Sequence, residues 1–339
     1  MLKNILYIPL SWLYTLGVAV RHLLYDQHIF PSHTVSVPTI CVGNLAVGGT
    51  GKTPMVEYIL RVLVENGLHP AVLSRGYKRA TRGFVLADKD SSARTIGDES
   101  MQLHTKFPDI PVAVCEKRVR GVHKLLKKVE NINVVVLDDA FQHRAIRCGL
   151  NILLTPYDRL YIDDHLLPWG TLRDLPHRAL KADAVVITKC PDSMHPIDMR
   201  VIDNRLHLPA FQQLYFSAID YASLSQTGTP LVLCGIAKPE YMFEHVRTLY
   251  PDAQLLAFPD HYNYTAADIN TILQKAEKFD FVLTTEKDIQ RLNLTNLQSR
   301  LEAQGKELVV LPVTMRFINE QKAFDRQLLT YVRENKKKK

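Results

Sequence analysis

The sequence has no Cys-x-x-Cys pair and no Cys/His cluster at zinc-binding spacing; its five cysteines, Cys41, Cys115, Cys148, Cys190 and Cys234, are scattered along 339 residues. A zinc ribbon and a paired-cysteine redox site are therefore excluded, and inert thiols in a reducing compartment are expected. Nor is there an apolar run long enough to span a bilayer comfortably. Ile5 to Val20 carries no charge but is interrupted by Pro9 and Gly17, and a spanning helix needs roughly 20 apolar residues. No small-residue cleavage pattern follows it, which argues against a removed signal peptide. There is no internal repeat, and low complexity is confined to the terminal Lys336 to Lys339. That tail supplies four of the charges in a net +7, so the body is only mildly basic. No nucleic-acid or protein partner is predicted; a basic surface of this size suits anionic lipid or a phosphorylated substrate.

What is present is a phosphate-binding pattern, GNLAVGGTGKTPMVEYIL from Gly43 to Leu60. Thr39 to Val42 is a short β-branched run suited to a strand. After Thr53, Pro54 fits a first helical turn, and Met55, Val56, Ile59, Leu60 and Leu63 recur at amphipathic-helix spacing up to Asn66-Gly67. Between strand and helix, the backbone N–H groups of Gly48, Gly49, Thr50, Gly51 and Lys52 would face phosphate oxygens, with Lys52 reaching the terminal phosphates and the Thr53 hydroxyl reaching Mg²⁺. The motif has Ala46 where the P-loop pattern starts with glycine. A glycine-rich turn without a ligand is the alternative.

Further on, Asn133 to Arg144 (NVVVLDDAFQHR) is an apolar run ending in two carboxylates, Asp138 and Asp139. A buried strand delivering an acid to the edge beside a phosphate loop is the arrangement that holds Mg²⁺ directly or through water; a plain turn is the alternative. Ile96 to Ser100 (IGDES) offers Asp98 as a base for an attacking hydroxyl, or merely as a capping acid. Arg75, Arg118, Arg120 and Arg173 are candidate phosphate clamps.

Strand-like runs at Ala71 to Leu73, Val112 to Cys115, Val134 to Leu137, Ile152 to Leu154 and Ala184 to Thr188 alternate with helical patterns. A second set covers Gln212 to Ile219, Leu231 to Ile236, Gln254 to Phe258, Phe281 to Thr285 and Glu307 to Val313. The expectation is an α/β protein with a P-loop NTPase-like, mostly parallel sheet flanked by helices, a second smaller α/β domain and an N-terminal hydrophobic helix. The divisions are residues 1–30 for that helix, 31–205 for the P-loop core, 206–335 for the second domain and 336–339 for the tail. The hydrophobic segment, with Trp12, Tyr7 and Tyr14, is expected to lie at a membrane interface, the alternative being a helix packed on the protein's own core.

GGTGKTP, SRGY (Ser74 to Tyr77), GDE (Gly97 to Glu99), LDDAFQH (Leu137 to His143), LPWGTLRD (Leu167 to Asp174), CGIAKP (Cys234 to Pro239), PDHYNY (Pro259 to Tyr264) and TTEKD (Thr284 to Asp288) occur in one order. In these motifs the chain resembles the tetraacyldisaccharide 4′-kinase family, from the N-terminal segment to about Val313. The resemblance implies transfer of the γ-phosphate of ATP, with Mg²⁺, to the 4′-hydroxyl of a tetraacylated glucosamine disaccharide 1-phosphate at the cytoplasmic face of a Gram-negative inner membrane. It also implies Asp98 as general base, His261 as its dyad partner, and Glu99 and Asp139 as acids associated with Mg²⁺, with Asp138 close by. Without it His261 reads as a surface histidine beside a turn. The sequence departs from the family pattern at Ala140-Phe141, at Trp169 and at Asp174, where glutamate is common; Asp174 is accordingly given no role.

The alternative function is a membrane-associated P-loop ATPase switch, but Val47 stands where such proteins carry a lysine that crosses to a partner's nucleotide. A GTP-binding protein is disfavoured because neither Thr188-Lys189 nor Thr284 to Asp288 supplies Asn-Lys-x-Asp.

Overall fold

A computed structural model describes residues 2–336; residues 337–339 of the basic tail lie outside the described residues. In chain order the large lobe begins with α1 (Leu2–Asp26), β1 (Thr39–Asn44), α2 (Lys52–Glu65), β2 (Pro70–Ser74), β3 (Val85–Leu86), α3 (Ala93–Ile96), α4 (Asp98–Lys106) and β4 (Val112–Val114). It continues through α5 (Arg118–Lys128), β5 (Val134–Asp138), β6 (Leu150–Pro156), β7 (Ala184–Thr188), α6 (Pro196–Leu206) and β8 (Gln213–Tyr221). The small lobe holds β9 (Pro230–Cys234), α7 (Glu240–Leu249), β10 (Gln254–Ala257), α8 (Ala266–Ala276), β11 (Phe281–Thr285), α9 (Glu286–Leu292), α10 (Leu297–Ala303) and β12 (Glu307–Leu311). The chain then returns through β13 (Val313–Phe317) and α11 (Gln321–Lys336).

The large sheet has nine strands in the order β13-β8-β7-β6-β1-β5-β2-β4-β3. The seven from β8 to β4 run parallel, and both edges, β13 on β8 and β3 on β4, are antiparallel. Alternate residues of each central strand enter opposite cores: Cys41, Val135, Leu137, Val185 and Ile187 on one face, Ile40, Val42, Val134, Val136 and Val186 on the other. Parallel strands buried on both faces read as continuous apolar runs for this reason. Val122 and Leu125 of α5 with Ile202 and Leu206 of α6 cover the first face. Met55, Ile59 and Leu63 of α2 with Phe324, Leu328 and Val332 of α11 cover the second.

The small sheet, β10-β9-β11-β12, is wholly parallel. The α8 and α10 side chains Ile269, Ile272, Leu297 and Leu301 cover one of its faces, and Met242 and Val246 of α7 the other.

The passage from the first lobe to the second differs from the sequence expectation. Gln213 of β8 pairs in parallel with Ala184 of β7, and β13 with α11 completes the same lobe. Residues 206–221 and 313–336 thus belong to the larger body, and the chain crosses near residue 222 and again at Pro312. The Pro- and Met-rich passage before α6 is only the loop of a crossover connection. The run Glu307 to Val313 is two strands in two sheets, divided at a proline that has no N–H to donate.

Helix α1 begins earlier than its apolar run and is amphipathic in an inverted sense. Ser11 and His22 are buried, while Trp12, Leu13 and Leu16 are 70%, 67% and 61% exposed. Among the described residues no helix is long and apolar enough to cross a membrane.

Candidate active site

The phosphate loop joins β1 to α2 at the carboxyl edge of the sheet, where parallel α/β folds bind ligands. Gly51 caps α2 with φ 85° and Gly48 has φ 98°, left-handed values that glycine adopts without strain. Thr50 is buried, and its carbonyl accepts a 2.9 Å hydrogen bond from the Thr188 hydroxyl at the end of β7. Gly49 faces the second lobe: a Cβ placed there would lie 3.8 Å from Nζ of Lys189 and 3.9 Å from Cβ of Ala237. Lys52 opens α2, with Thr53 in the same first turn. Nζ of Lys52 reaches Oδ1 of Asn44 at 3.4 Å and Oδ1 of Asp139 at 3.7 Å.

Asp138 ends β5 and Asp139 follows it at φ 50°. The loop sits tight against β1, since a Cβ on Gly43 would come 2.5 Å from Cβ of Phe141. Arg173 forks onto both oxygens of Asp139 and donates to Oδ1 of Asn44 at 2.6 Å. Burial favours the neutral form of Asp139, but Lys52 and Arg173 outweigh it and hold its carboxyl far below the ordinary range. Asp138 behaves in the opposite way: burial, then the negative charges of Glu99 and Asp139, push it up to about 7. Its Oδ1 is buried with no hydrogen-bond partner. Arg118 is also buried, donating to the carbonyls of Cys115, Asp138 and Asp139. Arg75 and Arg120 are exposed.

Across the cleft, Gly97 at φ 88° starts α4, which opens with Asp98 and Glu99. The small lobe brings His261 to them on the loop after β10. Nδ1 of His261 lies 2.8 Å from Oδ2 of Asp98, and Nζ of Lys287 lies 3.1 Å from Nε2 of the same ring. Lysine only donates, so Nε2 accepts and Nδ1 carries the proton given to Asp98. Lys287 also approaches Asp260 at 3.2 Å and Glu99 at 3.5 Å, and Nε of Arg291 lies 3.4 Å from Asp98. Burial raises the Asp98 carboxyl, but the His261 hydrogen bond and the charges of Lys287 and Arg291 prevail and leave it below the usual carboxylate value. Tyr77 packs edge-on against the His261 ring, centroids 5.0 Å apart.

The structure therefore gathers Lys52 with Asp139, and Asp98 with His261. It does not bring Glu99, Asp138 and Asp139 into one cluster: among the described residues no three His, Cys, Asp or Glu side chains converge as a ready metal-binding group. Four participants escaped the sequence reading, Asn44, Lys189, Lys287 and Arg291. Lys287 lies within the TTEKD motif and Asn44 within the glycine-loop stretch, which were the available signals; Lys189 and Arg291 carry none.

A family model described as tetraacyldisaccharide-1-P 4′-kinase matches residues 3–333. The chain belongs to that family. Among curated relatives, the tetraacyldisaccharide 4′-kinase of Bacteroides thetaiotaomicron is 42% identical, with 96% of this chain and 93% of that protein aligned. That of Flavobacterium johnsoniae is also 42% identical, over 99% of this chain and 98% of the relative. The crystal structure of LpxK from Aquifex aeolicus in complex with ATP is similar at a TM-score of 0.74 and 25% identity, covering 98% of this chain and 99% of that one. That LpxK structure shares the fold seen here, and the motifs named above all fall within the span matched by the family model.

Proposed function

We propose that the chain transfers the γ-phosphate of ATP to the 4′-hydroxyl of tetraacyldisaccharide 1-phosphate, giving the lipid A precursor lipid IVA. The observation that carries this reading is the Asp98–His261 pair, a carboxylate and imidazole supplied by different lobes of a chain that also carries a phosphate loop. Phosphoryl transfer demands positioning and charge neutralisation more than covalent chemistry. Lys52 and the loop amides hold the terminal phosphates, Arg173 fixes Asp139 beside them, and Asp98 takes the hydroxyl proton. His261 orients the carboxylate that receives it.

The residues fit Mg²⁺. A buried, unpartnered oxygen on Asp138, in a carboxyl raised by burial and then by like charges, is the kind of group a divalent cation satisfies. Asp138 would hold the ion, and Asp139 and Glu99, which do not converge on it as the side chains stand, are with the Thr53 hydroxyl the further oxygen donors proposed. When bound, it would supply neutralisation of the negative charge on the transferred phosphate.

The exposed apolar face of α1 supports residence on a lipid surface, the cytoplasmic face of the inner membrane. An acylated disaccharide is confined to the bilayer, and exposing its chains to water costs about 0.8 kcal/mol per CH₂. A site held at the interface avoids that extraction.

Mass spectrometry of the lipid after incubation with ATP or with GTP tests the reading. A mass gain of one phosphate, faster with ATP, is expected; an unchanged lipid while ATP is hydrolysed would favour an ATPase switch.

A further inference from the structure

The outer face of α1 is apolar, but its inner face is polar, which a helix serving only as an anchor does not require. Nε2 of His22 meets Oδ1 of Asp174 at 2.5 Å, and both residues are buried, 3% and 1% exposed. The Tyr14 hydroxyl donates to the carbonyl of Arg173 at 3.0 Å, and the Ser11 hydroxyl to the carbonyl of Leu166 at 2.8 Å. Arg21 donates to the carbonyl of Gln142 at 2.6 Å, and the Gln142 amide in turn to the carbonyl of Asn44 at 2.6 Å. The bonds from α1 all land on the two loops that bear Asp139 and Arg173, and the Gln142 amide carries the connection on to the end of β1.

The protonation pattern is fixed by the neighbours. Arg144 donates to Nδ1 of His22 at 3.1 Å, to its carbonyl at 3.0 Å and to Asp26 at 2.6 Å. Arginine cannot accept, so Nδ1 accepts and Nε2 carries the proton that His22 gives Asp174. Oδ1 of Asp174 also takes the N–H of Leu175 at 2.9 Å, and the N–H of Arg173 donates to the carbonyl of Leu45 at 2.8 Å. Arg173 is thus held from both sides of its own backbone, by the phosphate-loop strand and by α1.

We propose that His22 and Asp174 are a positioning pair through which α1 holds Arg173 against Asp139 and Asn44, making the interfacial helix a working part of the phosphate site. The inference rests on the kinase reading above. Asp174 carries no charge to the substrate; it fixes the peptide from which Arg173 reaches. The acid one residue after the arginine is therefore structural to the site rather than reactive in it.

The test is steady-state phosphate transfer to detergent-solubilised tetraacyldisaccharide 1-phosphate by the full chain, His22→Ala and Tyr14→Phe. Misplacing a group at a phosphoryl site by about 1 Å costs on the order of 100-fold. His22→Ala should accordingly lower kcat by roughly 10- to 100-fold with a smaller change in KM for ATP. Pelleting with vesicles of phosphatidylethanolamine and phosphatidylglycerol should be unchanged, because the outer face is intact. Added imidazole should restore part of the lost kcat by renewing the hydrogen bond to Asp174, which a loss of folded protein would not permit. Unaltered kcat in His22→Ala, or a loss that imidazole does not reverse, would overturn the proposal. If His22→Ala does not fold, Tyr14→Phe decides: a several-fold fall in kcat supports the proposal and an unchanged kcat contradicts it. Absence of transfer by the unaltered chain would instead overturn the kinase reading itself, and the inference with it.

Discussion

Asp98 and His261 are 163 residues apart in the chain and 2.8 Å apart in the fold. One opens a helix of the large lobe and the other sits on a loop of the small lobe, so the pair exists only when the lobes are together. Asp98→Ala should lower kcat by about 10²- to 10⁴-fold, the span of general-base contributions, while ATP binding survives. Because the two act as a unit, the double substitution with His261→Ala should cost little more than Asp98→Ala alone. Additive losses in a double-mutant cycle would separate their roles.

The same pair predicts a pH effect. His261 helps to hold the Asp98 carboxyl below its ordinary value, so its removal lets that value rise. The acid limb of the kcat/KM profile, where the base becomes protonated, should move to higher pH in His261→Ala. A limb that stays in place would show that some other group sets it.

Lys189 is pushed down to about 8 by burial and by the charge of Lys238. Its folded value lies below its unfolded one, so the charged form weakens the fold. That penalty is complete below about 8 and is relieved as pH rises from there toward the ordinary lysine value. Phosphate at Gly49 would draw the proton back on. Calorimetry at pH 8 in buffers of different ionisation enthalpy should show uptake of about half a proton per ATP, absent in Lys189→Met. Equal uptake in both proteins would place the proton elsewhere.

The exposed side chains Trp12, Leu13 and Leu16 account for lipid association in this reading. Replacing Trp12 and Leu16 with serine should weaken vesicle binding sharply and leave the folded site intact, measured as unchanged ATP affinity. Undiminished vesicle binding would mean that another surface meets the membrane.

Phe324 of α11 is 2% exposed and packs against Tyr58, Tyr215 and Phe317. Phe324→Ala should destabilise the large lobe by about 3–5 kcal/mol, measured by denaturant unfolding. A loss under 1 kcal/mol would mean that α11 adds little to the core.

Much of this was legible from local pattern. The β5 run ending in two aspartates and the β1–glycine loop–α2 unit needed only strand and helix periodicity to place. The carboxyl edge of a parallel sheet then put Asp138 and Asp139 beside the phosphate loop. Asp98 and His261 were not legible that way: neither has a periodic context, and only the ordered motifs resembling the kinase family joined them. The crossing point was misplaced because a parallel strand such as β8 looks the same whichever sheet it joins; hydrogen-bonding partners are not written in its residues. The role of α1's inner face was hidden as well. Ser11 interrupts the apolar segment and His22 lies just beyond it, and nothing local says that their partners lie on loops far along the chain.

The most direct measurement is transfer of label from γ-labelled ATP to tetraacyldisaccharide 1-phosphate, with and without Mg²⁺, by the unaltered chain and by Asp98→Ala. The account predicts a labelled bis-phosphorylated lipid from the unaltered chain with Mg²⁺, and almost none from Asp98→Ala. Lipid-stimulated release of inorganic phosphate with no labelled lipid, or equal labelling by both proteins, would contradict it.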